Sequence, residues 1–150
     1  MESRTDLRTK LKALFDKQRL GVLSTQKRNR PYASLVAFAV TDDLKSFVFA
    51  TPRTTRKYAN IMASSRAALL IDNRSNRASD FRKAMAVTVV GTVRELRKSQ
   101  RSRLIRLYTD KHSHLEDFVR SPTCAVMCID AETLHIVDQF QHVIELRLSK

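Results

Sequence analysis

Leu7, Leu11, Leu14 and Phe15 recur at helical spacing behind Thr5 and Asp6, either of which can cap a first helix, and Gly21 follows as its stop. The pattern then changes to alternation. Leu20 to Thr25 reads as a strand, Gln26 to Pro31 as a turn, and Tyr32 to Val40 as a second strand. In that second strand Tyr32, Ser34, Val36, Phe38 and Val40 alternate with Ala33, Leu35, Ala37 and Ala39, so both faces are largely apolar. Such a strand is expected to be buried on both sides or to line a barrel. Asp42 and Asp43 mark a hairpin turn into Ser46 to Ala50.

A polar segment, Thr51 to Asn60, opens a helix running to about Ser64 with Tyr58, Ile61 and Met62 predicted inward, and Ala67 to Ile71 is the next strand. Asp72 to Asp80 reads as a surface loop. Ala86 to Val93 is the most strand-like stretch, and Gly91 within it points to a bulge or to a close approach of another group. Ser99 can cap a basic amphipathic helix carrying Leu104, Ile105, Leu107 and Tyr108, and Ser113 a second carrying Leu115, Phe118 and Val119. Beyond Pro122, Cys124 to Ile129, Leu134 to Val137 and Val143 to Leu148 read as strands. The strands are mostly consecutive, with helices at one early and one late connection. That order predicts a mainly β fold, an antiparallel barrel with peripheral helices, rather than βαβ units. No linker, repeat or low-complexity tract interrupts it, so residues 1–150 are read as a single domain.

Composition narrows the function. At 43% hydrophobic content the 150 residues can bury a real core. No apolar run approaches the roughly 20 residues of a membrane span, and Met1 to Asp6 has no secretory-type stretch, so a cytoplasmic protein is expected. Only two glycines occur, Gly21 and Gly91. The Gly-rich phosphate cradles of dinucleotide folds and P-loops cannot be written in this sequence. Cys124 and Cys128 would share one face of a strand and read as buried thiols. A net charge of +13 raises nucleic acid as a partner, and Arg97, Lys98, Arg101, Arg103 and Arg106 would form its contact face.

With glycine loops excluded, any phosphate must be held by side chains and a helix end. Thr51 to Asn60 supplies both: it follows an apolar strand, carries hydroxyls at Thr51, Thr54 and Thr55, and sets Arg53, Arg56 and Lys57 near the unpaired backbone N–H groups of a helix start. The alternative is a solvated basic helix start capped by Thr54 or Thr55. His112 and His114 fall in a polar turn, and His135 and His142 lie near Asp138; neither pair has zinc-site spacing, so no metal is expected, with His142 the first choice if a ligand exists. Asp72, Asp80, Glu116 and Asp130 have no visible partner, and no catalytic residue is named.

The pieces Gly21 to Thr25, Pro31 to Leu35, Phe47 to Thr51, Thr54 to Asn60, Arg66 to Leu70 and Ala86 to Gly91 follow one another in an order and spacing that resembles the FMN-binding split barrel family, of which pyridoxamine 5′-phosphate oxidase is the best-known member. The resemblance implies an antiparallel split β-barrel of the FMN-binding type and a homodimer with FMN at the subunit interface. It places Thr51, Thr55, Arg56 and Lys57 at the phosphate, Ser34 and Leu35 beside the flavin ring, and Asn60 nearby. It implies an oxidoreductase or flavin reductase acting on a small-molecule substrate, with haem-handling and deazaflavin (F420) binding members as alternatives. Where the oxidase carries an Arg and a His two residues apart near its C-terminus, this chain has Arg147 and Ser149, which disfavours vitamin B6 oxidation.

Overall fold

A computed structural model describes residues 3–139 and 141–148; Ser149 lies outside the described residues. The chain runs α1 (Arg4–Lys17), β1 (Leu20–Lys27), β2 (Arg30–Ala37), β3 (Ala39–Val40), β4 (Ser46–Pro52), α2 (Arg56–Ala63), β5 (Arg66–Asp72), α3 (Asp80–Lys83), β6 (Ala86–Glu95), α4 (Lys98–Lys111), a 3-10 turn (Ser113–Leu115), α5 (Glu116–Arg120), β7 (Cys124–Asp138) and β8 (His142–Arg147). The strands form one antiparallel sheet in the order β2-β1-β5-β6-β7-β4-β3, with β8 also on β7. The sheet curls into a split barrel with the helices at its periphery, as expected.

β1 and β2 are joined by a two-residue turn, shorter than predicted. Arg28 and Asn29 take positive φ of 52° and 61°, which lets the tight turn follow the twist of its strands, and the Gln26 side-chain oxygen accepts from the Asn29 amide. β7 is one strand where two were expected, because its half-buried middle still pairs β6. Val90 faces Thr133 and Gly91 faces Ala131, so β7 carries Glu132 as an extra residue and the ladder bulges beside Gly91. A Cβ on Gly91 would stand 2.2 Å from the Asp130 carbonyl oxygen, which is the close approach its position predicted.

Two apolar layers result. Inside the barrel, Leu11 and Phe15 of α1 pack with Leu23, Phe38, Phe47, Phe49, Leu69, Val89, Met127 and Ile136, and the Phe15 and Phe47 rings meet edge to face at 5.2 Å. Outside it, α4 and α5 lay Ile105, Tyr108 and Val119 over Val48, Ala50, Cys124, Val126 and Cys128. Both cysteines are free and buried on one face, as expected; burial raises the Cys124 thiol and pushes Cys128 up to about 11.

Several local expectations are corrected. Ser3 caps α1, its hydroxyl accepting from the Asp6 amide, in place of Thr5 or Asp6. Met62 is exposed, because the short α2 presents only Asn60 and Ile61 fully inward. The predicted loop is present and leads into the one-turn α3 at Asp80, whose carboxylate accepts from the loop amides of Ser75, Asn76 and Arg77. α4 begins without a side-chain cap, and Ser99 lies within it; Ser113 opens a 3-10 turn rather than a helix, and Phe118 is exposed. β2 differs most: Tyr32, Ala33 and Leu35 are exposed because β2 is a sheet edge in the single chain.

Candidate functional site

The site begins with how β4 hands over to α2. Thr51 is buried, and its hydroxyl lies 2.7 Å from that of Thr55 and donates to the Pro52 carbonyl. Thr55 is the helix cap: its Oγ1 accepts from the Tyr58 amide at 3.3 Å and donates to Pro52 O. These two hydroxyls therefore brace the helix start. Arg53 turns away, donating to Glu95 at 2.6 Å and to the Pro122 carbonyl, while the Tyr58 hydroxyl donates to the other Glu95 oxygen. Burial opposes the charge on Glu95, but those two donors outweigh it and hold its carboxyl below the usual range. The network ties the first turn of α2 to the end of β6.

The remaining predicted residues converge on the β1–β2 hairpin. Asn60 is buried and donates from Nδ2 to the Thr25 hydroxyl at 3.1 Å, and Thr25 pairs with Tyr32 in register. The Arg56 guanidinium stands 5.6 Å from the Tyr32 ring centre, in cation–π range. Lys27, Arg28, Arg30, Pro31, Tyr32, Arg56 and Asn60 line a cleft of about 240 Å³. Among the described residues none of Lys27, Arg28, Arg30, Arg56 and Lys57 is paired with a carboxylate. Four of the five line a cleft that contains no acid, so its potential favours an anion.

Ser34 lies on the same face of β2 as Tyr32, one pleat further along. Its Oγ is buried without a hydrogen-bond partner, a state that costs free energy unless something arrives to fill it. Leu35 points to the opposite face and is 65% exposed. The structure thus brings Ser34, Arg56 and Asn60 to one side of β2, places Leu35 on the other, and keeps Thr51 and Thr55 behind the helix cap. Lys27, Arg28 and Arg30 were not singled out from the sequence. The signal was present in a Lys-Arg-Asn-Arg run, but nothing in its spacing said that a two-residue turn would fold it over α2.

The histidines are largely engaged. His112 is buried, with Nε2 2.7 Å from the Phe38 carbonyl, and burial lowers its pKa, so a neutral ring donates from Nε2. His142 Nδ1 meets Asp138 at 2.6 Å, and His135 faces Glu145 at 3.8 Å. Among the described residues no group of three His, Cys, Asp or Glu side chains could hold a metal, and no helix is long and apolar enough to cross a membrane.

A curled antiparallel barrel with peripheral helices, and an acid-free cleft where its first hairpin meets a short helix, defines a split-barrel fold. A family model for pyridoxamine 5′-phosphate oxidase matches residues 7–138, and the chain belongs to that family. Solved structures agree on the fold. A heme-binding protein of Mycobacterium smegmatis superposes with a TM-score of 0.85 at 14% identity over 97% of this chain, which spans 60% of that protein's length. A protein of Clostridium acetobutylicum related to general stress protein 26, of the pyridoxinephosphate oxidase family, gives 0.75 at 18% identity, covering 97% of each chain. A FAD-binding protein of Mesorhizobium loti gives 0.68 at 17% identity over 90% of this chain and 94% of its own. No curated protein matches the chain.

Proposed function

We propose that the protein binds a flavin, FMN in particular, with the phosphate in the basic cleft and the ring along β2, and that it acts as a flavin-dependent oxidoreductase or flavin reductase on a small substrate. One observation carries the reading: an acid-free cleft under α2 is lined by Tyr32, which shares a face of β2 with the unpartnered, buried hydroxyl of Ser34 two residues along. These residues fit FMN. Arg56, Arg30 and Lys27 would hold the phosphate, with Lys57 as an outer contact, and Asn60, held by Thr25, would set the helix against it. Ser34 would offer its hydroxyl to the polar edge of the ring. When bound, the flavin supplies the electron transfer, while the protein supplies position and access.

The cleft's 240 Å³ suits the phosphate end and leaves the ring needing cover. A second copy of this chain is favoured separately, by the opposite face of the sheet, the side on which Leu35 lies. The outer face of the sheet exposes Leu20, Leu35, Val137 and Val143, with Val22 and Leu70 half-buried among them. Leu20, Val22, Leu35 and Leu70 are neighbours across β2, β1 and β5, and Val137 pairs with Val143 on β7 and β8. Apolar positions spread over both ends of one sheet face favour burial against a like surface. The polar alternatives are weaker here: three of the described histidines already hold a partner, which counts against a haem ligand from this chain.

The test is a flavin titration. Arg56→Ala is expected to weaken FMN binding by about 1.5–3 kcal/mol, the magnitude of a charge-assisted hydrogen bond, and to leave the fold intact because Arg56 is exposed and braces nothing but the Tyr32 ring. Unchanged flavin affinity in Arg56→Ala, or a wild-type protein that takes up no flavin, would refute the reading.

A further inference from the structure

An open groove lies away from the hairpin cleft, between α4 and the segment 113–120. It holds about 870 Å³ and is lined by Lys98, Arg101, Ser102, Ile105, Arg106 and Thr109 from α4, Asp110 at the end of that stripe, and Ser113, Glu116 and Arg120 opposite. The α4 residues recur at helical spacing, so one face of the helix forms a wall of the groove. Three observations indicate what it takes.

The Arg101 Nε is buried and has no hydrogen-bond partner, and the Arg101 side chain is one of those that line the groove. A guanidinium N–H withdrawn from water and left unpaired is a donor waiting for an acceptor. Second, the start of α4 is built against its own electrostatics. It has no side-chain cap and no acid in the first turn, and Arg97 and Lys98 stand at the end where the helix dipole is already positive. An anion there would relieve both the unpaired amides and the crowded cations. Third, the charge along the groove is graded. Lys98, Arg101 and Arg106 precede Asp110, and Glu116 is neutralised by Arg120 at 3.2 Å. A uniform phosphate backbone would be repelled by Asp110, whereas a compact ligand with a multiply charged end and hydrogen-bond donors at the other would satisfy both ends.

We infer that the α4 groove is a second ligand site, separate from the hairpin cleft, that takes a small phosphorylated molecule, with Arg101 as its central donor and Lys98 and Arg106 beside it. The site does not depend on flavin binding. It uses the basic side of a helix whose apolar side, with Ile105 and Tyr108, covers the barrel.

Inorganic triphosphate is the probe, titrated calorimetrically into the full chain at roughly physiological ionic strength, where exposed charges more than about 8 Å apart are largely screened. Wild type is expected to bind it, and Arg101→Gln, which keeps a polar side chain and breaks no hydrogen bond within the protein, is expected to weaken binding at least tenfold. Arg103→Ala, which removes an equal charge from α4 outside this groove, is expected to change triphosphate affinity less than twofold. Circular dichroism and flavin uptake of Arg101→Gln are expected to match wild type. No binding by wild type, or equal losses in Arg101→Gln and Arg103→Ala, would overturn the inference. So would tighter, steeply salt-dependent binding of a 20-base-pair DNA duplex that Arg101→Gln and Arg103→Ala weaken alike, which would make α4 a nucleic-acid face instead.

Discussion

Ser34→Ala is expected to change stability and flavin affinity in opposite directions. The Ser34 hydroxyl is buried with no partner, while its β2 neighbours are fixed by the ladder to β1, where Ser34 faces Leu23. Leaving a hydroxyl unsatisfied costs about 1–3 kcal/mol, and replacing it with a methyl group removes that cost without changing the backbone. The flavin-free variant should therefore be more stable than wild type by about 1 kcal/mol, which for a chain of this size raises the melting temperature by roughly 2–4 °C. If the same hydroxyl donates to the flavin ring, its loss weakens binding by about 1 kcal/mol, or roughly fivefold. Scanning calorimetry on flavin-free protein reads the first effect and an FMN fluorescence-quenching titration the second. A variant that is less stable than wild type and binds FMN equally well would refute the reasoning, because it would show a hydroxyl already satisfied in the free protein and unused in the complex.

Other perturbations test the frame around the site. Gly91→Ala sets a methyl group 2.2 Å from Asp130 O and 2.9 Å from Asp130 C, both backbone atoms that cannot swing aside. It is expected to cost at least about 3 kcal/mol as overpacking, seen as a large drop in the urea midpoint; an unchanged midpoint would show that the bulge moves freely. Lys111 donates from Nζ to the Phe15 carbonyl at 2.7 Å beneath the Phe38 ring, and burial lowers its pKa to about 8 from an ordinary value of 10.5. Between those two values the unfolded chain holds the proton that the folded chain has released, so the Lys111 contribution to stability is flat below pH 8 and rises with pH above it. The stability of wild type relative to Lys111→Met should therefore increase from pH 8 to pH 10 in urea melts, and a constant difference would show that Lys111 titrates normally.

What could be read from the sequence follows a physical line. The apolar runs Ser46 to Ala50 and Ala67 to Ile71 and the strand-like stretch Ala86 to Val93 placed three strands correctly because each is sealed between neighbours, so burial and pattern coincide. For Tyr32 to Val40 the strand and its barrel-lining residues Val36, Phe38 and Val40 were read correctly, while the exposure of Tyr32, Ala33 and Leu35 was missed because an apolar edge strand and an apolar central strand have the same pattern. Only strand order, which depends on distant pairings, separates them. Thr51 and Thr55 were expected at an anion because hydroxyls near a helix start suit both capping and ligand contact; in the folded chain the nearest acceptors and donors are the Pro52 carbonyl, the Tyr58 amide and each other. Arg56 and Asn60 do reach the cleft, whereas Lys27, Arg28 and Arg30 joined it through a turn whose positive φ values no glycine announced.

The fifteen-residue strand β7 has a consequence for how the protein is made. It is the neighbour of β6, β4 and β8, and β4 reaches the rest of the sheet only through it. On a ribosome, Ser46–Pro52 emerges long before Cys124–Asp138 exists to cover it, so an apolar strand with an open hydrogen-bonding edge must wait while α2, β5, β6 and α4 are synthesised. Synthesis of this barrel is thus a race between β7's arrival and capture of β4 by another nascent chain, and slowing translation between the two strands should lower the soluble yield while leaving the stability of the finished protein untouched.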